Sequence, residues 1–178
     1  MKRILFTLCL SLLTIISFAQ KKNKYAKDIK ISVDKFDGTT TWNSPYASKI
    51  YGQITSERVS FTKIKEDEGI ATYLSLEASG STLNISKKGV IILFTDGEKI
   101  EFPNAKIETE AGGSGSGGRW GYSAFVRISD EELDKFITKD IDAFRLYIYD
   151  SNVTPYPEKV KKKRKQIRGW AQAIKEAN

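Results

Sequence analysis

The clearest hydrophobic pattern in the chain runs from Gly89 to Glu108, where two apolar runs flank Asp96-Gly97. Asp-Gly in that setting is a strong hairpin signal. A type I′ turn needs positive φ at both central residues, which Asp tolerates and Gly adopts freely. A two-residue loop predicts a register in which Thr95 faces Glu98, Leu93 faces Ile100 and Ile91 faces Phe102. On that register Ile91, Leu93, Ile100 and Phe102 point to the core, while Ile92 meets Glu101 and Phe94 meets Lys99. A first strand apolar on both faces suits an interior position. Pro103 has no amide to donate, so pairing should weaken there.

Period-two alternation predicts the other strands. Ile29, Ile31 and Val33 read as a half-buried strand, and a turn at Asp37-Gly38 leads into Thr39–Trp42. Asn43-Ser44-Pro45 is a break. Lys49–Thr55 and Glu57–Ile64 follow, then a charged turn at Glu66–Gly69. Ile70, Thr72, Leu74, Leu76 and Ala78 line one face of the next strand. Ser79-Gly80-Ser81 reads as a turn, and Leu83 and Ile85 as a short strand. After the hairpin, Ala105 and Ile107 lead to the glycine-serine stretch Gly112–Gly118. Trp120, Tyr122, Ala124, Val126 and Ile128 then alternate strictly with more polar neighbours.

Two helices close the pattern. Ser129 is an N-cap with Glu132 completing a capping box, and Ile128 and Leu133 occupy the two positions of a hydrophobic staple. Leu133, Phe136 and Ile137 form its buried face. A last strand carries Phe144, Leu146 and Ile148 inward, and Asp150–Asn152 reads as a turn. Pro155 and Pro157 fit a helical first turn, where no amide donor is required. The helix runs to about Ala177, with Val160, Ile167, Trp170, Ala171 and Ile174 on one stripe.

Connections this short exclude parallel crossovers, so the sheets should be antiparallel. The expected fold is mainly β: an antiparallel β-sandwich or barrel-like sheet, with one short helix and a C-terminal helix packed on it through Trp170. An open sheet with both helices on one face is the alternative. Residues 28–178 are expected to form a single β-rich domain, after a flexible, lysine-rich tail over residues 20–27.

Residues 1–19 change the compartment. Lys2 and Arg3 precede an apolar run from Ile4 to Phe18, and Ser17 and Ala19 are small, which is the layout of a signal peptide cleaved after Ala19. The run is short for a spanning helix, so no transmembrane segment is expected in the mature chain. Cys9 lies in the middle of that run, which argues against lipidation. Export places the mature chain in the periplasm or outside the cell. Cleavage removes the only Cys, and the chain contains no His. Serine–histidine and cysteine–histidine catalysis are thereby excluded, and the side chains that dominate zinc, iron and copper sites are missing. No cofactor or metal is expected. Removing Lys2 and Arg3 lowers the basic count from 29 to 27 against 22 acids, a mature net charge of +5.

Phe18-Ala19-Gln20, the Gly97-x-x-Ile100-x-Phe102 hairpin and Ile128-Ser129-x-x-x-Leu133 before a strand give the chain a further likeness. It resembles small exported β-rich proteins of Gram-negative bacteria. The resemblance implies a compartment and a fold, and no activity.

The candidate chemistry is sparse. Gly113, Gly115 and Gly118 spell a G-x-G-x-x-G, but a phosphate loop needs a helix after it, and here a strand follows. Asp130, Glu131 and Glu132 lie in a helical first turn, where the macrodipole favours negative charge. Glu66–Glu68 and Asp140-x-Asp142 lack the spaced ligands of a calcium loop and read as solvated turns. Trp42, Tyr46, Tyr51, Trp120 and Tyr122 are candidates for a sugar or peptide platform. Trp120 and Tyr122 share a core face, which leaves Trp42 and Tyr46, beside a break, as the better candidates for exposure.

The strongest charge feature is Lys159, Lys161, Lys162, Lys163, Arg164, Lys165 and Arg168, seven basic residues in the N-terminal half of the last helix. The plain interpretation is a solvated face. The functional one takes Lys161, Lys162, Arg164, Lys165 and Arg168 as a patch for an anionic partner: an acidic protein, lipid head groups or an anionic glycan. Export disfavours nucleic acid. The expected function is a non-enzymatic exported binding module. The alternatives are a glycan hydrolase acting through paired carboxylates and a structural envelope component that self-associates.

Overall fold

The computed structural model describes residues 23–46, 58–67, 69–80, 89–111, 120–148, 151–153 and 163–178. The expected strands at Lys49–Thr55 and Leu83–Ile85, the Gly112–Gly118 loop and the first 22 residues lie outside them. Ten strands are described: β1 (Lys30–Val33), β2 (Thr40–Asn43), β3 (Arg58–Glu66), β4 (Gly69–Gly80), β5 (Val90–Phe94), β6 (Lys99–Phe102), β7 (Glu108–Ala111), β8 (Trp120–Ile128), β9 (Ile141–Ile148) and β10 (Ser151–Val153). The helices are α1 (Asp130–Thr138) and α2 (Arg164–Glu176), with a 3₁₀ turn at Ala26–Asp28.

The fold is mainly β, in two antiparallel sheets. One has the order β1-β2-β3-β4-β8-β7 and the other β10-β9-β5-β6. Neither closes into a barrel, so the sandwich alternative is the one the molecule adopts. No helix among the described residues is long and apolar enough to cross a membrane. Leu74, Leu76, Tyr122, Ala124 and Val126 of the larger sheet share one buried cluster with Val90, Ile92, Phe144 and Leu146 of the smaller. Phe136 of α1 joins them: its ring centroid lies 5.4 Å from that of Phe61 on β3 and 5.4 Å from that of Phe94 on β5. Ile167, Trp170, Ala171 and Ile174 bring α2 into the same cluster.

Local signals fold as expected where chemistry leaves one solution. Ser129 Oγ accepts from the Glu132 amide while Glu132 Oε2 accepts from the Ser129 amide, which is the capping box. The β8 alternation buries Tyr122, Ala124, Val126 and Ile128.

The central hairpin differs by one residue. Ile92 faces Ile100 and Val90 faces Phe102. The Phe94 amide donates to Glu98 O at 2.9 Å, and the Gly97 amide to Phe94 O at 3.0 Å, so the loop is Thr95-Asp96-Gly97. Gly97 has φ +87°, and no non-glycine among the described residues has positive φ. This is a three-residue loop with glycine in the left-handed position, which splays the strands less than an ordinary two-residue turn. A slip of one flips every side chain. Val90, Ile92 and Phe94 are therefore the buried set, Ile91 and Leu93 are half-buried, and Phe102 is only half-buried. The interior position expected of β5 holds, between β9 and β6.

Three smaller expectations also change. Ser79 and Gly80 are paired with Gly121 and Trp120 as the end of β4 rather than turning. Ser151–Val153 forms β10 against β9, where a turn was expected. The N-terminal segment is docked from Asn23 onward instead of trailing: Asn23 Nδ2 donates to Gly169 O at 2.8 Å, and Trp170 Nε1 donates to Asp28 Oδ2 at 3.0 Å. Its lysines read as solvent-loving, but Tyr25 lies edge-on to Trp170 with centroids 6.5 Å apart. A Cβ on Gly169 would lie 1.9 Å from Tyr25 Cδ2, so the helix can receive this ring only at a glycine.

Candidate functional site

The docked segment, β1, β2 and the end of α2 together frame a groove of about 910 Å³, lined by Asn23, Ala26, Ile29, Ile31, Trp42, Gln172, Ala173 and Ala177 among others. Strand register builds its floor. Ile31 faces Trp42, Trp42 faces Lys63, Lys63 faces Thr72, and Thr72 faces Ile128. One row of side chains thus crosses five strands on the inner face, and the C-terminal turn of α2 lies over it.

Lys63 sets the electrostatics beneath the groove. It is buried, and its Nζ donates to Ala177 O at 2.6 Å and to Lys175 O at 3.4 Å. Those carbonyls are the unsatisfied end of α2, where positive charge is favoured. Burial pulls the ammonium below its ordinary pKa of 10.5, and Asp130 partly opposes that. Trp42, whose ring centroid lies 6.0 Å from Lys63 Nζ, is only 6% exposed, so the exposure expected for it is corrected. Its face is taken by the row just described. Its Nε1 is buried with no hydrogen-bond partner among the described residues.

The outer wall of the groove is poorly covered. Among the described strands β1 is one edge of the larger sheet, and the half-burial expected of it does not occur: all four residues are exposed, Ile31 by 63% and Val33 by 61%. Phe36, in the β1–β2 connection, is 100% exposed. The Asp34 amide donates to Thr39 O at 2.8 Å, so Asp34, Ser32 and Lys30 turn their main-chain groups toward β2. Alternation then turns those of Ile31 and Val33 away from the sheet. Two of the other edges, β7 and β6, are blunted. β7 carries Glu108 and Glu110, and β6 carries Lys99 and Glu101 before Pro103. Charges and proline are the usual protection of a sheet edge.

The other candidates are placed differently. Arg164 Nε donates to Ile141 O and Nη2 to Asp142 Oδ1, both at 2.9 Å. Arg168 Nε lies 3.2 Å from Asp140 Oδ1, an ion contact rather than an aligned hydrogen bond, and this buried oxygen has no hydrogen-bond partner among the described residues. The Asp140-x-Asp142 pair therefore ties α2 to the start of β9 and commits two of the five candidate cations. Lys165 is exposed, while Lys161 and Lys162 lie outside the described residues. Tyr46 is 50% exposed beneath the Arg58 guanidinium, 5.3 Å from its ring centroid. Tyr122 is core and Trp120 packs against the core; Tyr51 is outside the described residues. On the outer face Tyr73 stacks on Phe125 at 4.6 Å, with Phe125 55% exposed. That pair was not legible in the sequence, because it forms only when β4 pairs with β8. No group of His, Cys, Asp and Glu among the described residues is arranged to hold a metal ion.

Comparison with protein-family models, with curated proteins and with solved structures finds no match to this chain.

Proposed function

We propose that the chain is an exported, non-enzymatic binding module of the bacterial envelope, and that it binds an extended polypeptide by strand addition at β1. The observation that carries this reading is the β1 edge itself: main-chain groups of Ile31 and Val33 directed away from β2, both side chains exposed and that of Ile31 lining the Trp42 groove. An added strand gains affinity from main-chain hydrogen bonds, and alternate side chains enter the groove for selectivity. The export half of the proposal rests on residues 1–19, and N-terminal sequencing of the exported chain should read from Gln20.

Val33→Pro tests the binding half. The Val33 amide faces outward, so proline there removes an edge donor without breaking the β1–β2 ladder. Random ten-residue peptides displayed on phage, selected on the wild-type chain, should bind Val33→Pro about tenfold or more weakly, with unchanged melting. Selected peptides that bind both chains equally would overturn strand addition at this edge.

A further inference from the structure

Resting on that reading of β1, we infer that the partner this edge fits is a second copy of the chain, paired β1 to β1 about a two-fold axis. The edge is complementary to itself. Only Ile31 and Val33 present outward main-chain groups within the strand, so an antiparallel partner must bond to those two. Centring the axis on Ser32 makes Ile31 and Val33 of one copy the hydrogen-bonded partners of Val33 and Ile31 of the other. It also sets Lys30 opposite Asp34 at both ends. Opposite charges directly across a strand pair stabilise it, and like charges oppose it.

Of the two neighbouring registers, the one centred on Val33 sets Ile31 opposite Lys35, which lies in the turn, and the one centred on Ile31 is worse on two counts. Centring on Ile31 would place Asp28 opposite Asp34, a like-charge pair. It would also require the Ile29 amide, which already donates to Ala26 O at 3.3 Å.

The same register gives Phe36 a destination. A wholly exposed phenylalanine at a turn is the kind of aromatic anchor on which interfaces concentrate their energy. The turn after Asp34, whose carboxylate accepts from the Phe36 amide at 2.7 Å, sets Phe36 just past the paired stretch, at the end where the segment preceding β1 of the other copy lies. That is the mouth of the groove lined by Ala26, Ile29, Ile31, Trp42 and Ala173. Two equivalent anchors would enter two equivalent grooves, and the two larger sheets would become one continuous sheet. Four residues per edge make a small interface, so the affinity should fall in the range of transient contacts rather than obligate dimers.

Sedimentation equilibrium of the mature chain from about 10 µM to about 1 mM reads this directly. The wild type should rise toward twice the chain mass. Val33→Pro and Phe36→Ala should stay near the monomer throughout. Lys30→Asp, which sets like charges opposite Asp34, should raise the dissociation constant about three- to tenfold over Lys30→Gln. All three positions are exposed, so circular-dichroism melts of the four variants should match the wild type. A wild type that is monomeric at the highest concentration, while Val33-dependent peptide binding persists, overturns self-pairing and leaves strand addition standing. A dimer indifferent to Val33→Pro and Phe36→Ala overturns this interface. A dimer lost in both but equal in Lys30→Asp and Lys30→Gln overturns the Ser32-centred register.

Discussion

Replacing Gly169 by alanine sets two opposed effects of calculable size against each other. In a helix interior, alanine is better than glycine by about 0.5–1 kcal/mol. On that ground alone the change should stabilise α2. The new Cβ, however, would lie 1.9 Å from Tyr25 Cδ2, 2.3 Å from Cε2 and 2.7 Å from Cγ, so the whole ring must leave. Its departure loosens the edge-on contact with Trp170, worth about 0.5–1.5 kcal/mol. The Asn23-to-Gly169 hydrogen bond goes with it, at about 0.5–1.5 kcal/mol. If the segment lifts further, Trp170 Nε1 loses the Asp28 carboxylate, a charged acceptor worth about 1.5–3 kcal/mol. The losses exceed the gain, and Gly169→Ala should destabilise by roughly 1–3 kcal/mol.

The second mutation makes the test sharp. In a Tyr25→Ala background the obstruction is gone, and only the helix preference remains. Gly169→Ala should there stabilise by about 0.5–1 kcal/mol, reversing sign. Urea unfolding followed by circular dichroism measures all four corners of the cycle, and limited proteolysis near Lys24 and Lys27 reports release of the segment. An increase in stability in the wild-type background, or the same sign in both, would refute the account of Gly169 as the receiving site for Tyr25.

Two further outcomes follow from the core and the surface charges. Phe136→Ala should cost about 3–5 kcal/mol, because the ring is fully buried between Phe61 and Phe94, whereas half-buried Phe102→Ala should cost less; equilibrium unfolding in which Phe102→Ala is the more damaging would contradict the observed register. Lys139 donates to both Asp96 and Glu98. The Asp96 carboxyl is held below its ordinary 3.8 chiefly by Lys139, and Glu98 below its ordinary 4.5 by Lys135 and then Lys139. Carboxyls lowered by folding add stability that is complete above those ordinary values and lost as pH falls through the lowered ones. Lys139→Met should therefore flatten the fall of melting temperature between about pH 5 and pH 2, and an unchanged acid limb would contradict that assignment.

Much of the local structure could be read from the sequence, and the exceptions share a cause. The cap at Ser129, the alternation of β8 and the buried stripe Ile167, Trp170, Ala171 and Ile174 each had one arrangement that satisfied local chemistry. The Asp96-Gly97 hairpin had two. Both the two-residue and the three-residue loop admit Asp-Gly, and Ile100 points inward in either. Since Val90–Phe94 is apolar on both faces, no local penalty separates the two registers. The choice is made by tertiary packing: Phe94 meets Phe136, and β9 pairs on the other side of β5.

The candidate site was less legible for the same reason. Ile31 and Val33 alternate as a half-buried strand would, and nothing in four residues distinguishes a covered strand from an edge. The basic run on the last helix contained no sign that Asp140 and Asp142 would meet Arg168 and Arg164, because those acids lie over 20 residues away. Trp42 was legible as a large aromatic beside a break, but not as the floor of a groove beneath the end of α2. By itself the sequence determined most of the described element types, the Ser129 cap and the absence of histidine chemistry, all of which depend on near neighbours or on composition. Register, edge status and charge pairing depend on which strand or helix lies alongside, and only the tertiary structure decided those.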